Sequence, residues 1–241
     1  MALGRGQLPS EYWPNAQGAT PGENGGWPLI LHHLKRTLMF TLGVFIMAIG
    51  VAVSVRANLG TSPIASFPTV LSFATPLSVG TYLILLNLIF LGLQVLIRRR
   101  KFPTFQYVQI LVTFAFGFFT DFAMYLTSWL TPANYFMQWV WTVVGVILIA
   151  LGVYIETRPR LSYIPGDGLV FVLTLVLQNI PFSTIKMIFD WTLVVISVIT
   201  SWVLLDGLEG VREGTVFAAF AVGVTIRLIN ALHLRLGGKN D

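Results

Sequence analysis

Six long apolar runs dominate this chain of 241 residues and restrict the folds that are open to it. Each run provides the roughly 20 mostly apolar residues that an α-helix needs to cross the hydrocarbon core of a bilayer. The predicted spans cover residues 37–56, 79–97, 105–129, 136–155, 184–204 and 215–234. Charged residues make up only 10% of the sequence, compared with about 25% in an ordinary soluble domain. The sequence therefore predicts an all-α polytopic membrane protein.

The composition also excludes several classes of function. The chain has no cysteine, which excludes disulfides, thiolate metal sites and thiol nucleophiles. Its net charge is +5, but the basic residues stand in short clusters between apolar runs, which is typical of cytoplasmic loops and not of a nucleic-acid interface. No P-loop, zinc-protease helix or Ser-His-Asp set is present. We therefore expect no enzyme, no metal and no cofactor.

The positions of Lys and Arg predict the orientation of the spans. The loops on one side hold Lys35, Arg36, Arg98, Arg99, Arg100, Lys101, Arg158, Arg160, Arg235 and Lys239. The loop between the third and fourth spans holds no basic residue, and the loop between the fifth and sixth holds only Arg212. Because basic loops stay in the cytoplasm, we expect both termini there, as flexible tails over residues 1–30 and 237–241.

Two further apolar stretches, at residues 63–73 and 168–177, are too short to span a bilayer. Each is bounded by Gly or Pro and follows a long span. Apolar segments of this length are often re-entrant or interfacial, and non-helical backbone at membrane depth is tolerated only inside protein or beside water. We therefore expect a central cavity near these segments.

An internal repeat relates the two halves of the chain. A shift of 102 residues places the first span on the fourth with eight identities between residues 42 and 65. The matched residues are Gly43 with Gly145, Val44 with Val146, Ala48 with Ala150, Gly50 with Gly152, Val51 with Val153, Arg56 with Arg158, Leu59 with Leu161 and Pro63 with Pro165. In each helix the two glycines share one face, which predicts close packing there, against each other or against neighbouring helices.

The repeat predicts two inverted halves, residues 31–132 and 133–236, each with three spans and one short broken segment. An odd number of spans makes the second half enter the membrane from the opposite side. Many secondary transporters are built in this way, with discontinuous helices at the substrate site near the middle of the bilayer.

Two motifs suggest a family. Residues 56–63 read Arg-Ala-Asn-Leu-Gly-Thr-Ser-Pro, and residues 77–81 read Leu-Ser-Val-Gly-Thr before a long helix that contains Asn87. Together they resemble the YczE/YyaS/YitT family of bacterial membrane proteins over residues 35–236. The second half keeps Arg158 and Pro165 but has Ser-Tyr-Ile in place of Gly-Thr-Ser. The resemblance implies a bacterial inner membrane, and some relatives are thought to assist secondary-metabolite production or export.

Arg56 and Arg158 are the first candidate substrate-binding residues. They end equivalent repeated helices on opposite faces of the membrane, where they would bind an anion from either side of the cavity, since the guanidinium fork suits carboxylate, sulfonate or phosphate groups. The alternative is that each side chain only snorkels to the interface.

The short segments supply further candidates, namely Thr61, Ser62, Gly166 and Gly168. If each segment begins a helix, its N-terminus offers free N–H groups and partial positive charge to an anion. The alternative is an ordinary loop with an interfacial helix. Asn87 either lines the cavity or makes a single helix–helix hydrogen bond.

Four charged residues are candidates for gating or coupling. With small gaps the repeat also matches Gly117 with Gly223, and Asp121 and Arg227 lie four residues after these two glycines. Intramembrane charges usually pair inside the bundle. They form either a gate or a static ion pair. Lys186 and Asp190 share a helix face at an i, i+4 spacing, which is explained most simply by local neutralisation.

Glu156 and Asp167 flank the second short segment. We expect them to neutralise Arg158 or Arg160, while the alternative is that they bind a coupling cation.

The main hypothesis from the sequence is a secondary transporter of a small organic anion or zwitterion that works by alternating access. The rival hypotheses are a non-transporting membrane accessory protein for a partner complex, and a channel or lipid scramblase. The expected partners are the solute and membrane lipid, and the sequence leaves a homodimer open.

Overall fold

The computed structural model describes residues 27–99, 104–159 and 161–235, which form eight α-helices joined by short connections. The helices are α1 (Trp27–Arg56), α2 (Pro63–Ala74), α3 (Val79–Arg98), α4 (Val108–Leu126), α5 (Tyr135–Thr157), α6 (Pro165–Val176), α7 (Phe182–Leu205) and α8 (Glu213–Arg235). A 3-10 turn at Thr104–Tyr107 leads into α4. The predicted tails lie almost wholly outside the described residues.

Six of the described helices are long and apolar enough to cross a membrane. The spans are Leu34–Arg56, Val79–Arg98, Phe105–Leu126, Tyr135–Thr157, Phe182–Leu205 and Glu213–His233. They agree with the predicted spans to within about three residues at each end. Helices α2 and α6 have 12 residues each, or about 18 Å of helix, and are too short to span. The prediction of six spans and two short segments is confirmed.

Both short helices begin at a proline. Pro63 and Pro165 occupy the first turn of α2 and α6, where the missing N–H would have had no partner within the helix and the fixed φ of proline suits helix geometry. Helix α6 therefore begins at Pro165, three residues earlier than the predicted segment.

The centre of the bundle is an antiparallel crossing of α1 and α5, which have the most extensive contact of all helix pairs. A Cβ atom added at Gly43 would lie 2.9 Å from the carbonyl oxygen of Gly152, and one added at Gly50 would lie 2.8 Å from that of Gly145. The shift of 102 residues converts the first contact into the second. The four glycines thus let the backbones of the two repeated helices touch, as the sequence predicted.

The other helices pair in a similar pattern. Helix α1 packs against α4 as α5 packs against α8, and α2 packs against α7 as α3 packs against α6. The correspondence is incomplete, because α3 and α4 pack closely whereas α7 and α8 make few contacts, and the contact of α2 with α8 has no comparable counterpart between α6 and α4. Inversion of the two complete halves therefore stays a prediction.

Candidate functional site

The two short helices, α2 and α6, which we call the half-helices, meet at their first turns inside the bundle. We call this contact the half-helix junction, and it is formed by Pro63, Ile64, Pro165 and Gly166. A Cβ atom added at Gly166 would lie 2.2 Å from Cδ1 of Ile64, so the isoleucine side chain rests directly on the glycine. Both prolines and Gly166 are buried. The two short helices thus begin next to each other, one from each half of the chain.

The junction lies near the middle of the spanning helices. The backbone N–H of Gly166 donates to Oδ1 of Asn87 over 3.3 Å. Asn87 is eight residues from the start of α3, which is about 12 Å along a helix of about 30 Å. Irregular backbone at this depth must be buried in protein or must line water, and here it is buried.

Two amide side chains of α3 hold the start of α6. Asn87 accepts from Gly166, and Nε2 of Gln94 donates to the carbonyl oxygen of Pro165 over 2.9 Å. The two amides are seven residues apart and therefore lie on one face of α3. Asn87 also donates to the carbonyl of Leu83. Its predicted role in helix–helix hydrogen bonding is thus the one that the geometry favours.

Gln94 belongs to a buried cluster with Gln106 and Gln109, which we call the glutamine cluster. All three side chains are at most 2% exposed. Gln94 donates to Oε1 of Gln109 over 3.0 Å, and Gln109 donates to Oε1 of Gln106 over 2.6 Å. Gly168 makes room for the cluster, because a Cβ atom there would lie 2.9 Å from Oε1 of Gln94.

The glutamine cluster is not among the sites predicted from the sequence, which lie on charged residues, the short segments and Asn87. The signal was available: Gln106 and Gln109 are three residues apart at the start of an apolar span, and Gln94 interrupts another. Neutral amides are costly in a membrane interior unless they are hydrogen-bonded, so three of them near helix ends predict mutual contact.

The start of α2 is held by a serine pair. The hydroxyls of Ser66 and Ser197, the latter on α7, are 2.7 Å apart. Ser62 precedes α2 without capping it through its side chain. The hydroxyl of Thr61 is buried and has no hydrogen-bond partner among the described residues. Thr61 and Ser62 therefore lie beside the junction, and their hydroxyl groups are left for further hydrogen bonds.

The loop before α2 is pressed against the start of α8. Gly60 has a φ of +99°, a conformation that glycine adopts at little cost, and a Cβ atom there would lie 2.2 Å from the hydroxyl oxygen of Thr215. Arg212 donates to the carbonyl of Asn58 over 3.2 Å, and Gly214 donates to that of Leu59 over 2.8 Å. These contacts explain the glycine of the first motif.

The two predicted arginines contact separate parts of the chain. Nη2 of Arg56 donates to the carbonyl oxygen of Met124 at the end of α4 over 3.0 Å, and its buried Nε has no hydrogen-bond partner among the described residues. Arg158 turns back along its own helix, where it donates to the hydroxyl of Tyr154 and lies 4.7 Å from the ring centre. Ile64 lies against Gly166 between the two half-helices, and the expectation of a central cavity stays a prediction.

Asp121 and Arg227 do not form the predicted pair. The Asp121 carboxylate accepts from the Ser78 hydroxyl over 2.6 Å and from the Gly80 N–H over 2.8 Å, so it caps the start of α3. Arg227 lies on the exposed face of α8, and the ion pairs among the described residues do not include it. The repeat gives them equivalent positions, but the Asp121 carboxylate contacts α3 of its own half.

Lys186 bridges two carboxylates. Its Nζ is 2.9 Å from Oδ1 of Asp190, as predicted, and also 2.9 Å from Oδ1 of Asp167. Asp167 therefore neutralises Lys186 instead of Arg158, and Arg160 lies outside the described residues. Glu156 is 3% exposed and approaches the backbone amide of Ile164, just before α6 begins. An acidic cluster with one lysine thus surrounds the first turn of α6.

Comparison with known proteins identifies the family. Residues 34–231 match the family model of DUF6198, described as a family of unknown function. The chain belongs to the DUF6198 family. It is also 25% identical over 198 residues to the uncharacterized protein YyaS of Bacillus subtilis (strain 168), a match that covers 79% of this chain and 90% of that protein. No solved structure matches the chain. The predicted resemblance to YyaS-like bacterial membrane proteins is confirmed.

Proposed function

We propose that this multi-pass protein is a secondary transporter of a small organic anion or zwitterion, placed in the bacterial plasma membrane with both termini in the cytoplasm. The observation that supports the proposal is the half-helix junction. Discontinuous helices that begin near the middle of the bilayer are the usual position of substrate sites in secondary transporters.

Each half-helix is held by the opposite half of the chain. Asn87 and Gln94 belong to the first half and hold α6, whereas Ser197 belongs to the second half and holds α2. A rocking motion of one half against the other would therefore release both half-helices together. Such rigid-body motion around a central site is the mechanism of alternating access.

The groups around the junction suit both charges of a zwitterion. Both half-helices direct their N-terminal turns toward it, and each N-terminus carries partial positive charge. Arg56 and Arg158 would attract the anion from the two faces, and the Asp167–Lys186–Asp190 cluster would accept the ammonium group of a zwitterion. In this proposal Ile64 closes the empty site, and the substrate enters when the halves separate.

A second candidate function is a non-transporting accessory protein, which the contact of Ile64 with Gly166 favours. A filled junction with hydrogen-bonded walls is what a static scaffold would have. The two functions differ in whether the junction opens to water.

Cysteine accessibility separates the two functions, because the natural chain has no cysteine. Ser62→Cys and Thr61→Cys place a thiol beside the junction, and a membrane-impermeant anionic thiosulfonate is added to right-side-out or inside-out vesicles. A transporter is expected to be modified from both sides. Modification from one side only, or from neither side, would favour the accessory function.

Two controls calibrate the labelling. Leu111→Cys lies on a side chain that is 71% exposed on the apolar surface of α4 and should stay unmodified in the bilayer. Glu209→Cys lies in the exposed α7–α8 connection and should react in only one vesicle orientation.

A further inference from the structure

Helices α7 and α8 are separated at the place where the matching helices α3 and α4 touch. We call the boundary between each pair of helices a seam. A Cβ atom added at Gly80 would lie 2.1 Å from the carbonyl oxygen of Gly117, so α3 and α4 touch at their backbones. Gly223 is the repeat partner of Gly117, yet no atom of the described residues lies within 4 Å of its Cβ position. The second half therefore leaves a gap that the first half fills.

The gap contains a cavity of about 520 Å³ at the end near the α7–α8 connection. Its walls are apolar and its edge is charged, with lining residues Val194, Val198, Leu208, Val211, Arg212, Glu213 and Val216. This volume lies within the roughly 300–1,000 Å³ range of small-molecule sites.

The cavity continues as an apolar groove along α8. Val216 and Phe220 are four residues apart and share a helix face, and they are 41% and 57% exposed. The ring of Phe220 meets that of Trp191 on α7, with 6.0 Å between the centres. Because both helices span the membrane, this groove faces the lipid hydrocarbon and suits an acyl chain.

The edge of the cavity presents both signs of charge. The Arg212 guanidinium is 34% exposed and contacts Asn58 and Glu213 through Nη1 and Nε, which leaves Nη2 for a phosphate oxygen. Asp206 and Glu209 are exposed in the same α7–α8 connection, and the exposed Glu213 carboxylate pairs with Arg212 and accepts from the Tyr135 hydroxyl. One cation among three carboxylates repels a purely anionic headgroup but complements a phosphate that carries an ammonium group.

We propose that the α7–α8 seam binds one amine-bearing zwitterionic phospholipid from the adjacent leaflet. One acyl chain occupies the cavity and the groove toward Phe220. The phosphate contacts Arg212, and the ammonium group contacts Glu213 and its acidic neighbours. None of this site's residues belongs to the half-helix junction.

Native mass spectrometry of the full chain tests the lipid site. The delipidated protein is mixed in detergent with dioleoyl phosphatidylethanolamine, dioleoyl phosphatidylglycerol or dioleoylglycerol. We expect one bound phosphatidylethanolamine, with an affinity roughly tenfold higher than for the other two lipids. Equal retention of all three, or preference for phosphatidylglycerol, would overturn the proposal.

Two substitutions locate the bound lipid. Val216→Phe fills the cavity and should weaken phosphatidylethanolamine binding roughly tenfold, while Val203→Phe, on a residue that is 72% exposed outside the cavity lining, should leave it unchanged. Thermal unfolding confirms that both variants are folded. If Val216→Phe instead dissociates a dimer and retains lipid binding, a second copy fills the seam and the proposal is wrong.

Discussion

The two half-helices are built alike but are held differently. The first turn of α6 is fixed by side-chain hydrogen bonds from Asn87 and Gln94, whereas the first turn of α2 makes one side-chain hydrogen bond to another helix, from Ser66 to Ser197, and α2 is otherwise held by packing, mainly against α7. The difference follows from the local sequence. The first turn of α6 contains Gly166 and Gly168, which leave backbone groups bare for amides to reach, while α2 carries Ile64 and Ser66 at the matching positions. We infer that α6 is the fixed member of the pair and that α2 is the more easily released one.

The largest expected effect comes from filling the space at Gly168. Gly168→Leu forces a side chain into the glutamine cluster, where even a Cβ atom would lie within 3.2 Å of Gln109. We expect a loss of about 3 kcal/mol in the free energy of unfolding, because a packed interior resists added volume. Unfolding in detergent measures it.

Gly92→Leu is the matched control for this substitution, since no atom of the described residues lies within 4 Å of the Gly92 Cβ position. An equal loss of stability in the two variants would mean that α6 is not fixed by the glutamine cluster.

The second prediction removes one amide. Gln94→Leu leaves the Pro165 carbonyl and the Gln109 side chain without their buried partner, and we expect a loss of about 2 kcal/mol. The same unfolding assay measures it. Gln138→Leu, on a partly exposed glutamine at the start of α5, should change stability by less than about 0.5 kcal/mol. A neutral Gln94→Leu would show that the hydrogen bonds to α6 contribute nothing.

The weakest effect is expected at the serine pair. Ser197→Ala removes one neutral contact to Ser66, and such interhelical hydrogen bonds in membranes contribute about 0.6 kcal/mol on average. Amide hydrogen exchange should therefore rise in α2 and stay unchanged in α6. Increased exchange in α6 instead would reverse the assignment of the fixed and the released half-helix.

The sequence predicted the parts of this comparison that depend on local pattern. Apolar length located the six spans and the start of α2, and helical spacing predicted the Lys186–Asp190 contact, whereas α6 begins three residues before the predicted segment. These features need only the periodicity and the geometry of a single helix.

Tertiary contacts were harder to predict. Arg56 and Asp121 are long or flexible side chains at helix ends, and the neighbouring helix decides whether they meet a carbonyl, a helix start or another charge. The repeat also suggested equal seams in both halves. Gly117 is packed and Gly223 is open, because a matched residue in two halves need not have a matched neighbour.

The central structural claim is that the first turns of α2 and α6 touch inside the membrane. The double variant Ile64→Cys with Gly166→Cys tests it in a chain that has no other cysteine. Cγ1 of Ile64 would lie 3.4 Å from a Cβ atom at position 166, which is within reach of a disulfide.

Mild oxidation in native membranes, followed by mass spectrometry of the digested protein, should detect a disulfide between residues 64 and 166. The control variant that pairs Ile64→Cys with Leu111→Cys, on the exposed face of α4, should give none. If cysteines 64 and 166 are both alkylated by N-ethylmaleimide and no disulfide forms, the half-helices do not meet and the account fails.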